Sequence, residues 1–142
     1  MPTTLLDTNI LLYAISSSPD EAAKRQIARA LLSGADWGLS IQVLQEFYVN
    51  ATRGAAPAMS HELAETAIRQ FLLRPLAIND TALMLSALKI RRRYQLSFWD
   101  AAIIAAAQVL GAGVVYSEDL NHGQDYAGVR VVNPFLQAER VQ

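Results

Sequence analysis

Four carboxylates stand where packing alone would not put them: Asp7, Glu46, Asp100 and Asp119. Asp7 directly follows the apolar pair Leu5-Leu6 and opens the run Asp7-Thr8-Asn9. Asp119 follows Val114-Val115-Tyr116 in Ser117-Glu118-Asp119-Leu120. Asp100 is the single charge of Phe98 to Leu110, a segment otherwise apolar almost all round. Glu46 shares a polar stripe with Gln42, Gln45 and Asn50. Carboxylates a few ångströms apart repel and raise one another's pKa values. A cation that neutralises them keeps them ionised at neutral pH. Oxygen-only ligation suits hard ions, Mg²⁺ or Mn²⁺. Such an ion acidifies bound water and clamps phosphate, so phosphodiester hydrolysis is the reaction this set would serve best.

Each acid also has a plain structural use. Asp7 is placed to cap a helix beginning near Ile10. Ser97-x-x-Asp100 has the form of a capping box, and the helix dipole favours an acid in the first turn. Glu46 by itself reads as part of a solvated face. Asp119 by itself reads as a turn residue. The two accounts separate on whether the fold brings the four together.

The elements that would do so alternate along the chain. Thr3 to Leu6 reads as a short buried strand, and Asn9 to Ile15 as the start of a helix. Asp20 is placed to cap a helix from Glu21 to Ser33, closed by a left-handed Gly34. Trp37 to Ser40 is a short strand, and Ile41 to Thr52 a helix with Leu44, Phe47, Tyr48 and Ala51 on one face. After the break at Gly54-Ala55-Ala56-Pro57, Ser60 caps a helix to Leu72, and Leu76 to Ile78 is a small strand. Asp80 caps a helix to Tyr94, and Ser97 opens another to Leu110, closed by Gly111. Val114 to Tyr116 and Val129 to Val132 complete the strands. Strands alternating with helices predict a parallel sheet covered on both faces. In such sheets reactive groups gather beyond the carboxyl ends of the strands.

Composition narrows the field. A chain of 142 residues that is 52% hydrophobic suits one domain with a sizeable core, spanning 1–142, and excludes intrinsic disorder. With 12 basic and 13 acidic residues the net charge is −1, so no overall field draws it to nucleic acid. The lack of cysteine removes disulfides, zinc fingers and thiol chemistry, and two histidines, His61 and His122, do not suggest a histidine-rich metal site. Met1-Pro2-Thr3-Thr4 does not read as a signal peptide, and Ala101 to Tyr116 is too short and interrupted to span a bilayer. A cytoplasmic protein without membrane contact is the expectation.

Taken in order and spacing, Leu5-Leu6-Asp7-Thr8-Asn9-Ile10-Leu11, Glu46, Phe98-Trp99-Asp100-Ala101 and Tyr116-Ser117-Glu118-Asp119-Leu120 resemble the PIN-domain pattern. The size and the near-apolar helix after Asp100 resemble the VapC-type toxins of toxin–antitoxin pairs. The resemblance runs from Leu5 to about Pro134. It implies a three-layer α/β/α sandwich with a short parallel sheet and a Mg²⁺- or Mn²⁺-dependent endoribonuclease. It implies further that Asp7, Glu46, Asp100 and Asp119 hold the metal and position the attacking water, with Thr8 and Ser117 lining the pocket. A homodimer, an RNA substrate and a cognate VapB-type antitoxin are the implied partners. One departure is Asn121, where many relatives carry a further Asp, and it argues for one tightly held ion with a second recruited with the substrate.

Other residues read more plainly. Arg91-Arg92-Arg93 could meet phosphates but also suit a helix C-terminus. Trp37, Phe47, Tyr48, Phe98 and Trp99 read as core rather than base-stacking platforms, and His61 and His122 as surface rather than catalytic residues. Two rivals remain. A haloacid-dehalogenase-type phosphatase would need an acid where Asn9 stands. A catalytically silent PIN-like module would use the four acids only as caps.

Overall fold

The computed structural model describes residues 1–136. Its strands are β1 (Thr4–Leu6), β2 (Trp37–Ser40), β3 (Leu76–Ala77), β4 (Val114–Tyr116), β5 (Asp125–Tyr126) and β6 (Val129–Val132). The helices are α1 (Thr8–Ile15), α2 (Ala22–Ser33), α3 (Ile41–Ala51), α4 (His61–Phe71), α5 (Thr81–Tyr94) and α6 (Phe98–Leu110). The sheet order is β3-β2-β1-β4-β6-β5, with every pairing parallel except β5 with β6. This is the helix-covered, mostly parallel sheet that the alternation predicts and the three-layer α/β/α sandwich that the resemblance implies.

Helix α6 lies against β1, β2, β3, β4 and β6, and α5 packs on α6. Its burial explains its composition: Ala101 to Ala107 is buried at every position, and five of those seven residues are alanines that let the helix approach the strands. Gly38 on β2 serves the same close fit. A Cβ there would come within 2.9 Å of both Leu110 Cδ1 and Pro75 O. Helix α1 packs on α2 and α3, and α3 on α4.

The local signals at Ser60, Asp80 and Ser97 act as read: each side chain accepts the backbone N–H three residues on. Gly111 closes α6 at φ +70°. Three expectations fail. Asp20 lies inside a 3₁₀ turn, Pro19–Glu21, and α2 has no side-chain cap. Gly34 ends α2 in extended backbone (φ −71°), because the chain leaves directly toward β2. β5 is an additional strand, joined to β6 by Ala127-Gly128, both at positive φ, as a two-residue hairpin turn requires.

Candidate active site

The chain runs β1 to β2 to β3 in one direction across the sheet and continues from β4 to β6 in the other. The order therefore reverses between β1 and β4, and sheets of this kind gather their reactive groups beyond the carboxyl ends at such a point. Asp7 stands at this point. Its backbone N–H extends the β1–β4 ladder by donating to Tyr116 O at 3.0 Å. Its carboxylate is buried, 5% exposed. Oδ1 accepts the Thr8 N–H at 2.7 Å, so Asp7 is indeed the N-cap of α1, and the helix starts at Thr8. Oδ2 accepts the hydroxyl of the fully buried Ser117 at 2.7 Å. The same hydroxyl oxygen accepts the Asp119 N–H at 3.1 Å, and Asn9 Nδ2 donates to Asp119 Oδ2 at 3.2 Å. One serine thus ties the end of β1 to the loop after β4.

Burial pushes the Asp7 carboxyl up to about 6. Hydrogen bonds from Ser117 and Thr8 oppose this, and the charges of Asp119 and Glu46 add to it. Asp100, half-buried in the first turn of α6, is raised by burial against the pull of Ser97, with Asp119 adding again. Asp7 thus feels the charges of Asp119 and Glu46, and Asp100 that of Asp119. Among the described residues, however, no three carboxylate or imidazole groups are gathered closely enough to form a ready-made metal cage. Three side-chain oxygens at the crevice and its rim, Thr8 Oγ1, Asn9 Oδ1 and Gln42 Oε1, are buried without a hydrogen-bond partner.

Glu46 is not part of a freely solvated stripe. Gln42, itself 5% exposed, donates Nε2 to Glu46 Oε1 at 3.0 Å and to the Trp99 carbonyl at 3.3 Å. One carboxamide therefore connects α3 to the first turn of α6. A second support escaped the sequence reading. Tyr13 OH donates to Glu118 Oε1 at 2.5 Å, and Lys24 Nζ reaches Glu118 Oε2 at 3.2 Å. This braces the loop that carries Asp119 against α1 and α2; the position of Glu118 beside Asp119 was the only hint in the sequence.

The aromatic expectations divide. Trp37 and Phe47 are buried, Tyr48 and Phe98 half-buried, but Trp99 is 65% exposed and is not core. Its place in the first turn of α6 aims it along the rim of the crevice rather than at the sheet. Arg91, Arg92 and Arg93 are exposed in the last turn of α5, as the helix dipole favours. His61 and His122 are exposed, as read. Asn121 is exposed and donates to Gln124.

A mostly parallel sheet whose strand order reverses beside a buried acid places the chain in the doubly-wound α/β class. The particular family follows from comparison: the PIN domain family model matches residues 4–125, and the chain belongs to that family. No curated protein matches it in sequence. Similar solved structures include a toxin–antitoxin complex from Klebsiella pneumoniae (22% identity, 92% of this chain and 97% of that one, TM-score 0.68). VapC20 of Mycobacterium tuberculosis, a sarcin–ricin loop cleaving toxin, has 21% identity over 82% of this chain and 89% of its own, with a TM-score of 0.65. DNA-bound VapBC from Salmonella typhimurium has 21% identity over 94% and 99%, with a TM-score of 0.66. Among the described residues no helix is long and apolar enough to cross a membrane.

Proposed function

We propose that this chain is a Mg²⁺-dependent endoribonuclease, able to use Mn²⁺, and the toxin of a type II toxin–antitoxin pair. The observation that carries this reading is Asp7: a buried carboxyl at the switch point, pushed up to about 6 by burial with the charges of Asp119 and Glu46 adding. Membership of the PIN family and the likeness to toxins of toxin–antitoxin complexes support it.

The donor set fits a hard cation. Asp7, Glu46, Asp100 and Asp119 offer only oxygen, and the unpaired Thr8 Oγ1 and Asn9 Oδ1 lie beside Asp7 in sequence. Mg²⁺ keeps several waters and is held by one or two carboxylates plus substrate phosphates, so a closed cage is not required. When bound, the ion supplies charge neutralisation at the scissile phosphate and a more acidic water. Asp7 holds it only when ionised. Asp119 is aimed by Asn9 and by the Ser117 bond to its backbone. Glu46 has Oε1 tied by Gln42, which leaves Oε2 to orient the attacking water. Asn121 contributes no acid and pairs with Gln124, so one resident ion is expected.

Asn9 stands where a haloacid-dehalogenase phosphatase needs its general acid, and its amide is engaged with Asp119. The partners in this reading are RNA, a second copy of the chain and a VapB-type antitoxin in the cytoplasm. An antitoxin arginine reaching the acids could replace the cation. The test is RNA cleavage by antitoxin-free protein with Mg²⁺ or Mn²⁺ against a chelator control. Cleavage should vanish with chelation and in Asp7→Asn and Asp100→Asn. Cleavage that survives any of these overturns the reading.

A further inference from the structure

Beside Glu46 runs a groove of about 320 Å³, between α3 and the first turn of α6. Its walls include Gln42, Gln45, Glu46, Asn50, Arg53 and Trp99. That volume lies at the lower end for small-molecule sites, roughly 300–1,000 Å³, and suits one flat ring system rather than a helix or a strand. The indole of Trp99 is 65% exposed and meets the Phe98 ring edge to face at 5.4 Å. Trp99 directly precedes Asp100 in the first turn of α6, and the Gln42 amide ties its carbonyl to Glu46.

We propose that this groove is a base-binding subsite: an unpaired base of the RNA, next to the scissile phosphate, stacks on Trp99. The proposal rests on the nuclease reading above. Three observations favour a base over another occupant. First, the wall chemistry is that of base edges, three carboxamides beside an aromatic face. Asn50 Nδ2 is taken by the Glu46 carbonyl, and Gln42 Nε2 by Glu46 and Trp99, while Gln42 Oε1 has no partner among the described residues. Second, the crevice is acidic and the net charge is −1, so phosphate contacts cannot supply the affinity there. Stacking is neutral and is not opposed by those charges. Third, the exposed Arg53 lines the same groove and offers a cation to the adjoining phosphate.

The test uses unstructured oligoribonucleotides with Trp99→Phe, Trp99→Leu and Trp99→Ala, each made in the active chain and in the Asp7→Asn background for binding. Trp37 is buried and Trp99 exposed, so quenching of the accessible indole emission by oligonucleotide reports Trp99 directly. Expected are quenching, near-parental binding by Trp99→Phe, and about 10-fold or greater weakening in Trp99→Leu and Trp99→Ala, seen as a raised KM in the active series. Equal behaviour of Leu and Phe, or parental binding by Ala, overturns the subsite while leaving the nuclease reading intact. A changed oligomeric state in Trp99→Ala without loss of RNA binding makes the groove a protein contact and also overturns it. If the unsubstituted chain neither binds nor cleaves RNA, both readings fall together.

Discussion

Asp7 and Asp36 flank the neighbouring strands β1 and β2 at opposite ends of the sheet, and the chain treats them in opposite ways. Asp36, exposed at the amino end, accepts the Thr3 N–H at 2.8 Å and the Thr3 hydroxyl, and its own carbonyl accepts from Thr4. The Thr3 hydroxyl and amide hold its carboxyl below the ordinary range. Asp7, at the carboxyl end, also has two donors, yet burial wins and its carboxyl rises to about 6. The number of hydrogen bonds does not separate them. Solvent and neighbouring charge do: Asp36 keeps water, whereas Asp7 has lost it and faces Asp119 and Glu46. The acid that holds strands together is made comfortable, and the acid at the switch point is not.

The comparison breaks most visibly in activity. Asp7→Asn should lower RNA cleavage by roughly 100- to 10,000-fold, while Asp36→Asn leaves it unchanged, measured under saturating Mg²⁺. Equal losses would erase the distinction. Stability should move the other way. A folded carboxyl titrating near 6 against an ordinary 3.8 costs stability as pH rises through that interval. Asp7→Asn should therefore stabilise the metal-free protein by up to about 3 kcal/mol at pH 8, with no gain at pH 3, read by urea unfolding.

Ser117→Ala sharpens the account. It removes the hydroxyl that favours ionised Asp7, so the acid limb of the cleavage profile should shift upward by about one pH unit. The smallest effect belongs to the comfortable acid. A lowered carboxyl stabilises above its unfolded pKa and loses that contribution as pH falls through the folded one. Asp36→Asn should cost a slight drop in Tm at pH 7 that disappears in acid.

The architecture was legible because its signals are local. Ser60, Asp80, Ser97 and Gly111 mark helix ends by chemistry that works within one turn. The unread hairpin has Ala127 at a left-handed position where Asn or Asp is the usual sign, and its strand β5 is two residues long. Gly34 misled because a glycine after a helix permits a left-handed turn without requiring one. In the site, the acids were visible by type and order, whereas their supports were not. That Gln42 would bury itself between Glu46 and Trp99, or that Ser117 would join Asp7 to the Asp119 backbone, depends on contacts 4 to 110 residues apart. Trp99 was misjudged because a near-apolar helix hides which residues of its first turn project past the sheet.

The central claim is that a divalent cation relieves the charge gathered around Asp7. Calorimetric titration of the metal-free chain with Mn²⁺ tests it most directly. The account predicts about one ion per chain at pH 7.5, weakening sharply below pH 6, and no binding in Asp7→Asn. Binding that is indifferent to pH and persists in Asp7→Asn would contradict it.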